Sequence, residues 1–442
     1  MIGAIGRVLA PHGAYCTEAL SGYPRAERSQ QLKSKTCFFV TMAAALAAVL
    51  SCGSAFSQDD PALLTQATAL LDAGRYADAL PLFRVLSDSS NDSVARDAML
   101  GRARCVYKIG QDYRAARDLY LQVAERWPGT PAAGAGVRFA GYACLKFDRA
   151  EATSLFERAA AEFPGTEDST DSKLRLGYLA TLDGDLQKAE MRFWEAASDP
   201  AQTLERKATA YTQYGYAAIM RYFKATDADE PDAAANLVRA RERLTAAVAW
   251  LRDQPGMQTG ATFCQVGIAE SYYWGRQLPE AEAAYREALA ACGEGPSALE
   301  MLARHGLAAA LFLQNRQAEA LPELRRTLEL AATKPEAALS IPVSFIRFDS
   351  GVLNAMILWR TGSRAEALAA IAPFADEAQA TPFEQKPMSW LGAQALVWKG
   401  RILRSLGMEE QAREALALVA VLYPQAPDHV RLAGKLLGTP GK

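Results

Sequence analysis

Sulfur and imidazole are the side-chain groups best suited to chemistry, and this sequence has few of them: seven cysteines and three histidines in 442 residues. Cys16, Cys37 and Cys52 fall before residue 58, which leaves Cys105, Cys144, Cys264 and Cys292 for the body of the chain. His12, His305 and His429 are far apart in sequence. No HExxH, GxSxG, GxGxxG, P-loop or CxxC spacing brings a nucleophile, base or metal-ligand set together locally. Acid pairs such as Asp59-Asp60 and Glu409-Glu410 read as solvated turns among 50 carboxylates. The expectation is a chain without catalytic, metal-binding or cofactor-binding residues, not an enzyme. A formal net charge of -2 also lacks the cationic excess that phosphate neutralisation requires, so nucleic acid is not an expected partner.

The elements that must position these groups are helical: Ala and Leu outnumber Val and Ile. One segment differs. Cys37 to Cys52 is apolar and uncharged, follows Lys33 and Lys35, and leads through small residues to Gln58-Asp59-Asp60. A basic flank, short apolar core and small-residue exit make a secretory signal, and the core is short for a membrane span. Ala55 and Ser57 suit cleavage after Ser57. Val49-Leu50-Ser51-Cys52 also resembles a lipobox, with Cys52 as the lipidation site. Residues 1–57 are therefore expected to be a leader, with translation beginning near Leu32, and the protein is expected to be exported, periplasmic or outer-membrane associated. Membrane contact would come only through a lipid at Cys52.

Beyond the leader one phrase recurs with a period in the mid-thirties. A helix ends on Gly, an aromatic or Leu often follows, and Ala comes five residues after the Gly. Gly74-Arg-Tyr-Ala-Asp-Ala, Gly110-Gln-Asp-Tyr-Arg-Ala and Gly184-Asp-Leu-Gln-Lys-Ala are examples, with Lys146, Gly275, Asn315, Gly362 and Gly407 opening the others. Gly or Asn tolerates the left-handed backbone of a reversal. Small residues such as Ala79, Ala115 and Ala281 let antiparallel helices approach. Phe83, Tyr120, Phe156, Phe193, Tyr285 and Leu324 are expected to fill the seam. Trp127-Pro128-Gly129-Thr130 and Phe163-Pro164-Gly165-Thr166 close successive units, because Pro cannot continue the helix.

These residues resemble the tetratricopeptide repeat (TPR) family, and the aromatic-Pro-Gly-Thr closures look like bacterial envelope members, including outer-membrane assembly lipoproteins and the Tol-Pal coordinator. The resemblance implies an all-α fold: a right-handed superhelix (α-solenoid) of about nine TPR-like helical hairpins over residues 58–442. An atypical long unit is expected at about 203–257, and a capping helix at about 427–437. It also implies a non-catalytic scaffold or adaptor for protein–protein interactions in the bacterial cell envelope. The alternative is a periplasmic binding module for glycan or peptidoglycan fragments.

Family positions on the first helix of each hairpin carry over to Arg104, Tyr107, Lys108, Tyr178, Tyr272, Tyr273, His305, Phe312, Trp359, Arg360, Arg401 and Arg404. They would line a concave groove for a protein or extended peptide bearing acidic groups. Cys264 and Cys292 lie on the two helices of one hairpin, at similar distances from its turn. Export to an oxidising compartment would allow a disulfide there, and two small buried thiols are the other reading. N-terminal sequencing of the mature protein is expected to find Gln58 first, or a blocked, lipidated Cys52. A chain beginning at Met1 would refute the leader.

Overall fold

The computed structural model describes residues 60–438, other than 201, 229, 294–296, 334–342 and 381–385. The expected leader and Cys52 lie outside the described residues. Among the described residues the secondary structure is helical, without strands.

The chain divides into two units, with the boundary inside one helix. The N-terminal unit, described from residue 60 to 210, holds four hairpins: α1 (Asp60–Asp72) with α2 (Tyr76–Leu86), α3 (Asp92–Ile109) with α4 (Tyr113–Arg126), α5 (Pro131–Cys144) with α6 (Arg149–Glu162), and α7 (Glu167–Leu182) with α8 (Leu186–Ser198). The boundary falls in α9 (Leu204–Asp227). The C-terminal unit, from residue 211, continues with α10 (Ala233–Arg252), then α11 (Gln258–Trp274) with α12 (Leu278–Ala291) and α13 (Ala298–Leu313) with α14 (Gln317–Ala332). It ends with α15 (Val343–Arg360) and α16 (Arg364–Ala380), α17 (Lys386–Ser405) and α18 (Glu409–Leu422), and the cap α19 (Pro427–Leu437). With α9 and α10 as the long pair, the described residues form nine TPR-like hairpins, all of them helical. No described helix is long and apolar enough to cross a membrane.

Local chemistry sets each boundary. Asp112, Asp148 and Asp185 cap second helices by accepting from the backbone N–H three residues on, at 2.9–3.0 Å. Thr130 and Thr166 do the same for first helices at 3.2 Å, which explains the threonine of the Pro-Gly-Thr closures. At the intra-hairpin turns a backbone N–H reaches back five residues: Arg75 to Leu70, Gln277 to Tyr272 and Arg316 to Leu311. The residue before each donor is left-handed: Gly74 (φ 74°), Arg276 (φ 59°) and Asn315 (φ 60°). The α11–α12 turn thus pivots on Arg276, one residue beyond the expected Gly275, which sits at φ -72°. Its hydrogen bonds fix the pivot, and an Arg there accepts strain of about 1 kcal/mol.

Within each unit, every described hairpin packs on the next, and successive first helices touch side by side: α1 with α3, α3 with α5, α5 with α7. The same holds from α11 through α13, α15 and α17 to the cap. First helices form an inner layer and second helices an outer one. Ala79, Ala116, Ala152, Ala189, Ala281, Ala320, Ala367 and Ala412 are all fully buried at the start of second helices. The close-contact residue of α4 is therefore Ala116, while Ala115 is half-buried. The expected knobs Phe83, Tyr120, Phe156, Phe193, Tyr285 and Leu324 are all buried.

Many knobs rest on a glycine of a neighbouring first helix. A Cβ on Gly351 of α15 would lie 2.1 Å from the Phe374 ring of α16, and one on Gly392 of α17 would lie 2.2 Å from the Tyr423 hydroxyl. Alanine is the better helix former, but here the clash decides the sign. Gly351→Ala is expected to destabilise the chain by about 2 kcal/mol in urea unfolding. Adding Phe374→Leu should recover part of that loss.

Candidate functional site: polar clusters on the first helices

The structure separates the twelve expected groove residues into two classes. Tyr178, Tyr273, His305 and Phe312 are buried, 3–5 % exposed, and belong to the seams between helices. Tyr178 packs edge-on against Phe193 of α8 at 5.3 Å, and His305 turns toward α15. Arg104 and Arg360 are exposed, and Tyr107, Lys108, Tyr272, Trp359, Arg401 and Arg404 are half-buried. Tyr107 packs edge-on against Tyr113 at 5.6 Å, and the Arg241 guanidinium stacks on Tyr272 at 4.7 Å. Arg404 engages Glu409 at 3.4 Å.

His305 has partners that local sequence could not reveal. Its Nδ1 lies 2.9 Å from Ser350 Oγ and its Nε2 lies 3.1 Å from Asp349 Oδ2, both on α15. The group types are those of a nucleophile relay, but Ser350 is wholly buried and Asp349 is 4 % exposed, so no substrate reaches the hydroxyl. The arrangement ties α13 to α15. On its other side, Glu270, Tyr273 and His305 line a cavity of about 20 Å³, room for about one water. Burial pushes the Glu270 carboxyl up to about 8, opposed by a hydrogen bond with Tyr216.

Cys264 and Cys292 are free thiols. Cys264 is turned toward α9, where its sulfur meets Thr212 Oγ1 at 3.2 Å, so the expected disulfide is not formed. Burial pushes Cys105 and Cys292 up to about 11 and Cys144 and Cys264 up to about 12, which leaves protonated, weakly nucleophilic thiols. Burial also lowers the His429 imidazole on α19. Among the described residues no three His, Cys, Asp or Glu side chains are grouped to hold a metal ion.

Two clusters of another kind occupy first helices. In the N-terminal unit, Asp171 of α7 sits among three elements. Its Oδ2 accepts from the Tyr142 hydroxyl of α5 at 2.6 Å and from Arg138 Nη1 at 3.3 Å, and Arg206 of α9 approaches its Oδ1 at 3.7 Å. Arg138 Nε also donates to Asp168 at 2.6 Å, and Arg206 Nη1 to Glu167 at 2.7 Å. Arg175 Nε donates to the Tyr142 hydroxyl. Sequence reading missed this set because its members lie about one repeat apart and match no motif.

In the C-terminal unit, Arg401 of α17 stacks over Trp398 at 4.6 Å and Trp359 at 5.8 Å, and the two indoles meet edge-on at 5.5 Å. Trp359 Nε1 donates to Ser405 Oγ at 3.1 Å, which fixes its ring. Arg360 lies over Phe312 at 4.9 Å. Neither Arg360 nor Arg401 has a carboxylate partner among the described residues. Trp398 was absent from the expected groove set, although its spacing of three from Arg401 was visible.

A carboxyl that stays protonated in the folded chain holds a proton the unfolded chain has released. Glu270 therefore costs stability as pH rises from 4.5 to about 8, and the cost is constant above that. Glu270→Gln should be more stable than the parent by roughly 2 kcal/mol at pH 8. The difference should vanish at pH values below the unfolded carboxyl's. Urea midpoints at several pH values measure this, and a pH-independent difference would refute it.

Comparison with known proteins agrees with the hairpin geometry. Residues 64–131 match one tetratricopeptide repeat family description and residues 394–426 match a second. No curated protein matches the sequence. Among solved structures, the apo form of RapI is similar with a TM-score of 0.52 at 11 % identity, covering 85 % of this chain and 98 % of that one. YrrB, a TPR protein with an unusual peptide-binding site, gives 0.33 at 19 % identity, covering 55 % of this chain and 96 % of that one. A tetratricopeptide repeat protein from Parabacteroides merdae gives 0.43 at 14 % identity, covering 68 % and 98 %. At these identities the likeness is one of fold, carried by RapI. The chain is an all-α helical-repeat protein, and one segment in each of its units matches a tetratricopeptide repeat family.

Proposed function

We propose that this protein is an exported, non-catalytic adaptor of the bacterial cell envelope that holds a partner protein through its first-helix faces. The observation that carries the reading is the Arg401–Trp398–Trp359 cluster. Its guanidinium is partly withdrawn from water, which lowers it from its ordinary value, and it has no acidic partner among the described residues. Isolating a charge this way is costly unless something else neutralises it. Two indoles hold it in place, with the second unpaired cation, Arg360, next to Trp359 in sequence. Aromatic and Arg groups of this kind are the residues that dominate protein interfaces. An extended segment with acidic side chains supplies the missing charge and an apolar surface for the rings. Export is supported by Lys33, Lys35, the apolar run to Cys52, and the Ala55–Ser57 exit.

Affinity purification of the full chain from an envelope extract tests this. Arg401→Glu is expected to lower recovery of the bound partner at least tenfold. Arg404→Ala should do little, because that side chain already engages Glu409. The same partners at the same yield from Arg401→Glu would overturn the reading.

A further inference from the structure

We propose that the cavity between α11 and α13 is a binding site for a single internal water, held by the Glu270 carboxyl and the Tyr273 hydroxyl. The site lies in the core of the C-terminal unit and depends neither on the adaptor reading nor on export.

Two stripes of side chains make the cavity. Glu270, Tyr273 and Trp274 line it from α11, and Leu302, His305, Gly306 and Ala309 line it from α13. Tyr285 of α12 completes the lining. A Cβ on Gly306 would lie 2.3 Å from the Tyr285 ring, so α13 needs glycine at that point. Ala309 adds only a methyl group. Small residues on α13 opposite a carboxyl and a phenol on α11 leave about 20 Å³, the room one water takes. Every lining residue except Gly306 is buried.

The polar groups in this wall need a partner. Tyr273 Oη is sealed from solvent and meets no hydrogen-bond partner among the described residues. Glu270 is 4 % exposed, and burial pushes its carboxyl up to about 8, so at neutral pH it carries a proton. A protonated carboxyl both donates and accepts. Tyr216 of α9 supplies one hydrogen bond to it, which leaves capacity for another. An unmade hydrogen bond in the interior costs the desolvation of the group. Water accepts from the carboxyl and from the phenol at once, because its oxygen has two lone pairs. His305 contributes wall and not a ligand, since its two nitrogens already face Ser350 and Asp349.

Size and charge choose the occupant. The volume is too small for an organic ligand. With Glu270 protonated the lining holds no ionised carboxylate, so a metal or ammonium ion would enter without a counter-charge. A dry cavity would strand the Tyr273 hydroxyl. The water thus lets α11 keep a carboxyl and a phenol in a seam otherwise packed with rings and small residues. It continues the polar row that His305, Asp349 and Ser350 form between α13 and α15.

Two measurements on the full chain test the site. A high-resolution crystal structure is expected to show one ordered water within hydrogen-bond reach of Tyr273 Oη and the Glu270 carboxyl. Magnetic relaxation dispersion of the water oxygen counts internal waters by their slow exchange. It should find one fewer in the Glu270→Leu/Tyr273→Phe double variant, which keeps the bulk of both side chains and removes both partners. Tyr273→Phe alone should shift the infrared stretch of the protonated Glu270 carboxyl, a band identified by its loss in Glu270→Gln. Arg401→Glu should leave the water count unchanged, which separates failure of this site from failure of the adaptor reading. Equal counts in the parent and the double variant would overturn the proposal. So would a crystal structure with a dry cavity, or one in which Tyr273 bonds Glu270 directly.

Discussion

Everything in this fold depends on how closely two helix backbones can approach. Every second helix but α10 begins with an alanine of zero exposure, and many of the larger side chains on these helices rest on a glycine of a first helix at a separation that leaves no room for a methyl group. Close approach maximises dispersion contacts along the seam. It also fixes register, because a knob such as Phe374 fits only where the opposing helix has no side chain. A single hairpin would leave one face of such a seam uncovered, so each borrows its neighbour, and the array extends by repetition.

The same constraint places the polar groups. A first helix packed on its own second helix and on the next first helix has few directions left for a charged side chain. Where polar residues fall on the seam between first helices they must find partners there. His305 spans to Asp349 and Ser350, and Asp171 gathers Tyr142 and Arg138. Where the seam opens to the inner face, a guanidinium can be held by rings and hydroxyls without a carboxylate of its own. Arg401 is such a case. Stacking supplies orientation while leaving the charge to be satisfied from outside.

The cysteines and histidines illustrate how environment overrules residue type. Four thiols and two imidazoles in the body of the chain were the groups with most chemical potential, yet the fold uses them as packing and ties. Burial keeps the four described thiols protonated, and Ser350 beside His305 has no access to solvent.

Sequence by itself determined the hairpins, their turns and the identity of the seam. Those signals are local: a left-handed Gly or Asn, an Asp or Thr cap, and Ala and aromatic residues at helical spacing all act within about five residues. Even there, one pivot fell on Arg276 instead of Gly275, because the reversal is fixed by its hydrogen bonds and not by the most permissive residue. Tertiary structure alone decided which inner-layer side chains face solvent. Tyr178, Tyr273, His305 and Phe312 turned inward, while the Arg175–Tyr142 contact and the Trp359–Trp398 pair arise only through lateral packing. Such contacts join residues a repeat apart, as Tyr142 and Asp171 show. Their pairing depends on the rotation and rise between neighbouring helices, and no spacing along one helix encodes that quantity.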